Sequence, residues 1–468
     1  MLGIQGLNPW NIFFLFVLMG FAFRNRAVEN TEWDFPGYIR SVLLIYISFC
    51  LIAYFRMSGD IAELIEWNIL RGEGPPTFLG LFSEHVINVL KWIVPGLLLF
   101  YGCNSQKRFI WGLSSALLIY FFLALLTIKA MPIGALTDAD RLEYLARKLL
   151  SDNVGYHRVN LAMMFAGAFW AIFSLSELSE DKSNNKYIYI ICMVILFALA
   201  LSGGRTGYAT WAAIGFVFSV LKWRKFLIYG PLVVFIIVLI LPAARDRLLM
   251  GFSESTSDSR NQALLEEGLI NENSNVDLYT VTSGRTIAWP FVVDKIQQRP
   301  FIGYGKEAMI REGLTSYLWT SFQEAFPHPH NMYLQWLLDN GLVGFIPVMI
   351  FYITLLTYSF SLLKDTRNRN FVVIGGAGSA LLLALLISGF GSQTFYPREG
   401  AVGMWCIIGL LLRLYVQRSK YEKVIASENK PHDIPIENSN LWSKHNEILK
   451  PLQTRPKFNY FSSSNNNG

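Results

Sequence analysis

Residues Phe326–Gly344 read FPHPHNMYLQWLLDNGLVG, and this stretch joins a long polar segment to an apolar one. Pro329 keeps the chain extended up to His330. Asn331 follows, and its amide can accept a hydrogen bond from a free helical N–H, as a good N-cap does. We therefore predict a short apolar helix over residues 332–340, which begins directly after this His-Asn pair.

Two glycines close the same stretch. Gly341 stands where the predicted helix ends, and a left-handed C-cap favours glycine because it has no Cβ to clash. Gly344 would let the membrane span that follows pack closely against a neighbour. His330 would then lie at the positive end of a helix beside the membrane surface, which makes it part of a candidate anion site.

The composition indicates a membrane protein. Of the 468 residues, 53% are hydrophobic and only 16% are charged, whereas a soluble chain of this length needs more charged surface. The formal net charge of +6 lies mostly in short loops and the tail, which suits membrane topology better than nucleic-acid binding. All four cysteines lie in apolar runs without a CxxC pair, which predicts buried thiols rather than disulfides or metal ligands. They are Cys50, Cys103, Cys192 and Cys406.

Apolar runs long enough to cross a bilayer recur along the chain. We place them at 9–23, 38–55, 84–103, 109–131, 159–176, 186–203, 206–222, 226–243, 341–363, 371–390 and 400–417. They predict an all-α integral membrane protein with about 11–12 transmembrane helices. Within one run, Gly375-Gly376-Ala377-Gly378 predicts close helix packing.

Lysines and arginines cluster in alternate loops, and such loops face the cytoplasm. They are Arg24, Arg26, Lys107, Arg108, Lys182, Lys186, Lys222, Arg224, Lys225, Lys364, Arg367 and Arg369. The N-terminus, the turn at Arg205, the long loop over 244–330 and the turn at Pro397-Arg398 should then share the outer face. The chain divides into spans over 1–243, the outer loop with short helices over 244–330, spans over 331–417, and a polar, disordered cytoplasmic tail over 418–468.

Three residues on the predicted outer face are candidates for chemistry. Arg205 follows Ser202-Gly203-Gly204 at the end of a span, where an arginine either binds a partner or snorkels to the interface. Arg285 opens a predicted helix and is opposed by the helix dipole, so it either binds an anion or forms a loop salt bridge. His330 is either functional or a capped surface-adjacent histidine, and His328 lies one proline away.

Local patterns predict two helix starts. Ser283 is a possible cap of the helix that Arg285 opens. Asp138-Ala139-Asp140 has the form of a DxD metal motif, but the spacing of Thr137 and Asp140 favours a capping box. The chain has no Walker A, HExxH, GxSxG or zinc-spaced Cys/His pattern, and we expect no metal or cofactor.

The charges of the outer segment 132–158 leave two interpretations open. Its basic residues either bind an anionic partner or are balanced by the acidic residues of a solvated helix. The basic residues are Arg141, Arg147, Lys148 and Arg158, and the acidic ones are Asp138, Asp140, Glu143 and Asp152.

Three stretches together carry a family resemblance. The His330-Asn331 pair followed by Gly341 and Gly344 resembles the signature of the bacterial O-antigen ligase superfamily. The pattern Ser283-Gly284-Arg285, Trp289, Arg299-Pro300 and Gly303-Tyr304-Gly305 is similar to the outer loop of that family. The turn Ser202-Gly203-Gly204-Arg205-Thr206 resembles its upstream arginine. The match covers roughly residues 201–363, and such ligases usually have twelve spans.

The resemblance implies a metal-independent, class C-like glycosyltransferase of the bacterial inner membrane with an active site that faces the periplasm. It implies that Arg205 and Arg285 bind the pyrophosphate of an undecaprenyl-pyrophosphate-linked glycan. His330 would accept the proton of the acceptor hydroxyl or orient that hydroxyl. Asn331, Gly341 and Gly344 would position these groups.

The acceptor is less well defined than the chemistry. Transfer to lipid A–core is our first expectation, and a polymerase that joins lipid-linked repeat units of O-antigen, capsule or exopolysaccharide is the alternative. The superfamily also includes protein O-glycosylation ligases. A transporter or flippase would also have many spans, but transporters usually place charges near the bilayer midplane on broken helices. The expected partners are the donor, the acceptor and membrane lipids, with no nucleic acid.

Overall fold

The computed structural model describes residues 9–27, 34–178, 183, 185–240, 242–249, 282–391 and 393–428. Every regular element in these ranges is helical, which confirms the all-α prediction. The first nine helices are α1 (Pro9–Ala27), α2 (Gly37–Ser58), α3 (Ala62–Leu70), α4 (Phe78–Phe82), α5 (Asn88–Gly102), α6 (Gln106–Ala130), α7 (Ala139–Val154), α8 (Arg158–Phe173) and α9 (Asn185–Ser202). The remaining nine are α10 (Arg205–Leu221), α11 (Phe226–Ile240), α12 (Pro242–Leu249), α13 (Arg285–Gln298), α14 (Ala308–Arg311), α15 (Leu314–Phe322), α16 (Met332–Lys364), α17 (Arg369–Ser388) and α18 (Val402–Glu428).

Eight helical segments in these ranges are long and apolar enough to cross a membrane. They are Gly37–Ser58, Phe78–Gly102, Gln106–Ala130, Arg158–Glu177, Asn185–Ser202, Met332–Lys364, Arg369–Gly391 and Glu399–Lys423. The second of them includes a π-helical turn, Ser83–Ile87, between α4 and α5. The other three predicted runs coincide with α1, whose apolar part is Trp10–Phe23, and with α10 and α11 of 17 and 15 residues. The protein is therefore an all-α integral membrane protein, and the described residues include eight helical segments long enough to span a membrane.

Helix α17 lies at the centre of the bundle, and 94% of the residues in the apolar stretch of its segment that would cross the membrane are buried. It packs against α16, α8, α18 and α10. Its glycines make this possible: a Cβ on Gly378 would lie 2.5 Å from Leu411 Cδ1, and one on Gly375 would clash with the backbone of Leu363. The predicted role of this glycine run in close packing is confirmed.

Helix α16 contains a break at Gly341, which has φ +62° and ψ −169°. The positive φ was predicted, but ψ is extended rather than left-handed, and the helix resumes at once toward the membrane. A Cβ on Gly341 would clash with the backbone of Phe301. Gly344 lies one turn later, where a Cβ would come within 3.0 Å of Phe49 on α2, as the predicted close packing requires.

The segment that follows α13 satisfies the backbone groups freed by this break. Four backbone N–H groups donate across the contact: Leu342 to Pro300 (2.8 Å), Val343 to Phe301 (3.0 Å), Tyr304 to Leu338 (2.8 Å) and Gly305 to Asp339 (2.8 Å). Arg56 of α2 adds hydrogen bonds to the carbonyls of Ile302 and Gly303. Irregular backbone inside a membrane protein is stable only where protein covers it in this way.

Three local predictions have clear outcomes. Asp138, rather than Thr137, caps α7: its carboxylate accepts from the Arg141 N–H at 2.7 Å, so the DxD pattern is a helix start. Ser283 does not cap α13, because Gly284 is the residue before the first helical turn and no side chain caps it. All four cysteines are free and buried, as predicted.

The predicted start of the cytoplasmic tail, residue 418, differs from the structure. Helix α18 continues to Glu428, so residues 418–428 are helical and not disordered. The helix runs on past the apolar stretch because its first polar residues pair with neighbours: Arg418 donates to Ser361 at 2.9 Å, and Glu422 accepts from Arg367 at 2.6 Å. The rest of the predicted tail, 429–468, and residues 250–281 of the predicted loop lie outside the described residues.

Candidate active site

Arg205 and Arg285 meet through a pair of tight turns. The chain leaves α9 through Gly203, which has φ +61°, and Arg205 is then the first residue of α10. Arg205 Nη2 donates to Ser283 Oγ at 2.7 Å. Ser283 and Gly284 both have positive φ, +57° and +77°, and this double turn places Arg285 at the first position of α13. Two guanidinium groups distant in sequence are thus brought to one corner of the bundle.

A third segment completes this corner. Arg285 Nη2 donates to the carbonyl of Gly391 at 3.3 Å. Gly391 packs against Thr206, where a Cβ would lie 2.5 Å from Thr206 Cγ2. The turn at Arg205, the start of α13 and the end of α17 are therefore in direct contact. Of the loops predicted to share a face, the turn at Arg205 and the part of the long loop that carries Arg285 are thus brought together.

His330 is held beside this corner by α13. Trp289 lies four residues after Arg285, on the same face of α13, and its Nε1 donates to the carbonyl of Pro329 at 2.9 Å. His330 has φ +51°, a left-handed conformation that costs a non-glycine residue about 1–2 kcal/mol. Such strain is typical of functional sites.

The two histidines of the motif pack edge to face, and Asn331 caps the helix that follows. The rings of His328 and His330 have centroids 4.2 Å apart. The Asn331 side chain accepts from the N–H groups of Tyr333 (3.0 Å) and Leu334 (3.2 Å), so the predicted capping role is confirmed. The imidazole of His330 is therefore placed immediately before the positive end of α16.

The environment keeps both histidines neutral. Burial, followed by the neighbouring imidazole of His328 and the charge of Arg285, lowers the pKa of His330 to about 2. Burial and the charge of Arg398 lower the pKa of His328 to about 4. Burial and Arg205 also lower the pKa of Arg285, which nevertheless stays protonated because guanidinium is such a weak acid. The site therefore combines fixed cations with a neutral imidazole, a suitable arrangement for an anion with a reacting hydroxyl beside it.

A second group of arginines surrounds Glu143 on α7. Arg147 Nη2 and Arg158 Nη2 each lie 2.6 Å from Glu143 Oε1. Arg247 on α12 binds Oε2 of the same carboxylate. The sequence analysis named Arg158 and Glu143 in the same charged segment but did not name Arg247. The only feature of Arg247 that could have drawn attention to it is its position just after an apolar run. The balancing of charge predicted for the segment 132–158 is thus partly realised, by one carboxylate with three guanidinium groups.

A buried lysine forms a third polar group that the sequence did not single out. Lys306 Nζ lies 3.6 Å from the ring centroid of Tyr396. The Tyr396 hydroxyl donates to Asp339 Oδ2 at 2.9 Å and accepts from Asn340 Nδ2 at 3.1 Å. These contacts join the loop after α13 to the first half of α16. They stabilise the segment that covers the break at Gly341.

Comparison with known proteins agrees with the resemblance. Residues 190–349 match the model of the O-antigen ligase family. This range includes all six residues predicted for the site. A protein of Rickettsia conorii, provisionally named a polysaccharide ligase, is 24% identical over 317 residues, which cover 64% of this chain and 67% of that protein. Both comparisons thus indicate similarity to O-antigen ligases, over residues 190–349 for the family model and over 64% of the chain for the Rickettsia protein.

Proposed function

We propose that this protein is a membrane glycosyltransferase that moves a glycan from an undecaprenyl-pyrophosphate donor to an acceptor hydroxyl at the periplasmic face. Lipid A–core is the proposed acceptor. The observation that carries the proposal is the meeting of Arg205 and Arg285 through Ser283, beside a strained, neutral His330. The match of residues 190–349 to the O-antigen ligase family and the similarity to a polysaccharide ligase support ligase- or polymerase-type chemistry.

The two arginines would bind the departing pyrophosphate. When the acceptor oxygen attacks the anomeric carbon, the bond from that carbon to the pyrophosphate oxygen breaks, and its electron pair goes to that oxygen. Arg205 and Arg285 each present a planar fork of donors to phosphate oxygens. Preorganised cations of this kind lower the barrier because they stabilise charge that develops in the transition state.

His330 would accept the acceptor proton or orient the hydroxyl that carries it. A pKa of about 2 makes the imidazole neutral but a weak base before donor binds. The donor brings negative charge next to Arg285, which offsets one of the cations that lower this pKa. Binding of donor would therefore raise the pKa of His330 and make it a better proton acceptor. A single displacement of this kind inverts the anomeric centre, and isolation of a glycosyl-enzyme intermediate would exclude it.

The test uses cells that lack the protein, complemented with wild type, His330→Ala or the neighbouring control His328→Ala. Long polymer that accumulates on the lipid carrier, with bare lipid A–core, would establish a ligase. Single repeat units without a ladder would establish the alternative, a polymerase. Movement of lipid-linked sugar without any new glycosidic bond would indicate a transporter and overturn the proposal. If His330→Ala restores full function, the proposed role of this histidine is wrong.

A further inference from the structure

Arg158 connects the Glu143 cluster to the turn that carries Arg205. Its Nη2 binds Glu143, and its Nη1 donates to the carbonyl of Gly203 at 3.2 Å. Gly203 lies two residues before Arg205. One buried guanidinium therefore holds a carboxylate on α7 and the backbone of the turn at the same time.

The turn itself is closely packed against the two helices that carry this ion pair. A Cβ on Gly203 would come within 3.2 Å of Leu142 Cγ on α7. A Cβ on Gly204 would lie 2.6 Å from the Cβ of Ala162 on α8. The position of Arg205 is thus set by α7 and α8, and Arg158 is the polar link in this contact.

Two of the three arginines that bind Glu143 are buried. Arg158 and Arg247 are 8% and 2% exposed, whereas Arg147, the third partner of Glu143, is largely exposed. A buried ion pair is stable only when its geometry is well satisfied, and removing one partner is costly. An ion pair placed this deeply, next to the turn of a site arginine, would resist movement of that turn.

We propose that Arg158, held by Glu143, is a positioning residue that fixes Arg205 for binding the pyrophosphate group of the donor. This inference rests on the proposed function, because it assumes that Arg205 binds that group. Through the same contact, the outer helix α7 would become part of the donor site. The region of the chain that matches the O-antigen ligase family begins at residue 190, after both residues.

The test compares Arg158→Lys with Arg147→Lys in purified full-length protein. Lysine at 158 keeps the charge that pairs with Glu143, but its single ammonium loses the fork that also reaches Gly203. We expect Arg158→Lys to weaken binding of inorganic pyrophosphate about tenfold, the effect of one charged hydrogen bond. It should also raise the KM for the lipid-linked donor and leave the KM for the acceptor unchanged. Arg147→Lys contacts the same carboxylate without touching the turn, and it should change neither quantity.

A double-mutant cycle shows whether Arg158 acts through Arg205. In an Arg205→Ala background, Arg158→Lys should cause less than about a twofold further loss of pyrophosphate binding. A tenfold loss in both backgrounds would mean that Arg158 acts independently, and it would overturn this inference while leaving the proposed function intact. Wild-type protein that neither binds pyrophosphate nor transfers glycan would overturn the proposed function instead.

A second variant covers the case in which Arg158→Lys does not fold. Glu143→Asp withdraws the carboxylate by one methylene and keeps its charge. The same dependence on Arg205 is expected for it, with a smaller loss of pyrophosphate binding. Equal binding by Glu143→Asp and wild type would contradict the inference.

Discussion

Trp289 Nε1 donates a 2.9 Å hydrogen bond to the carbonyl of Pro329, and this bond ties the helix that begins at Arg285 to the residue before His330. Phenylalanine at 289 would keep most of the packing but lose the donor. We expect Trp289→Phe to lower kcat/KM for glycan transfer about fivefold, because the lost bond costs roughly 1 kcal/mol and lets the two candidate residues Arg285 and His330 separate.

The control for this variant is Trp319→Phe. Trp319 lies on α15 and is 45% exposed, so its replacement should change neither activity nor stability measurably. Equal loss of transfer in both variants would mean that the effect of Trp289 is not specific to its bond with Pro329.

Because His330 has a left-handed backbone conformation, two substitutions at this position can separate an effect on protein stability from an effect on activity. Glycine adopts φ +51° without strain, whereas alanine does not. His330→Gly and His330→Ala should both lose transfer activity, but the glycine variant should be more stable than the alanine variant by about 1 kcal/mol. Thermal unfolding of the two purified variants checks this. An alanine variant as stable as the glycine variant would show that the backbone at 330 is not strained.

The sequence predicted the helical bundle and suggested three candidate site residues, because apolar runs, caps and glycines are local signals. Asn331 caps its helix and Gly341 has positive φ, as their neighbours in the chain require. It did not predict what holds the site together. The bonds of Arg158 to Gly203 and of Trp289 to Pro329 join residues far apart in the chain, and no local pattern encodes them.

The ends of helices were predicted less well for a related reason. Apolar length marked the end of α18 near 417, but the helix continues because Arg418 and residues beyond it pair with α16 and its loop. Serine is a residue type that often caps helices, but Ser283 has a positive φ, and its hydroxyl accepts a hydrogen bond from Arg205 instead. In both places a tertiary contact outweighed the local preference.

The low pKa of His330 predicts an unusual pH profile. A free-enzyme histidine with an ordinary pKa would give kcat/KM a limb near pH 6.5. Because the pKa of His330 is lowered to about 2, we expect no such limb between pH 5 and 8. The limb in kcat should lie at higher pH than that in kcat/KM, since bound donor adds negative charge. Initial rates measured across this range test both points, and a limb at 6.5 in kcat/KM that disappears in His330→Asn would contradict the assignment.

Glu143 should make stability depend on acid pH. Burial alone would raise the pKa of its carboxyl, but the three guanidinium groups around it lower that pKa to about 2. A carboxyl group whose pKa is lower in the folded state than in the unfolded state stabilises the fold. This stabilisation is complete above the unfolded-state pKa of about 4.3, and it is lost as the pH falls through the folded-state pKa. Wild type should therefore be more stable than Glu143→Gln by about 1–2 kcal/mol at neutral pH, since solvent screens part of the interaction of this half-buried carboxylate. This difference should shrink between roughly pH 4.5 and 2, and thermal midpoints of the two proteins measure it. A difference that stays constant would exclude titration of Glu143 as its source.

Gly341 is the position where the fold tolerates no side chain. Its φ of +62° is strained for any other residue, and a Cβ would clash with the carbonyl group of Phe301. To remove this clash, residues 300–305 would have to move away from the break in α16. The paired backbone groups of both segments would then be exposed without partners. We expect Gly341→Ala to cost several kcal/mol and to abolish folded protein in the membrane fraction. Gly134→Ala, where a Cβ meets nothing within 4 Å, should express normally. Normal folding of Gly341→Ala would mean that the segment over 300–305 is not held against the break, and the arrangement of His330 above it would need another explanation.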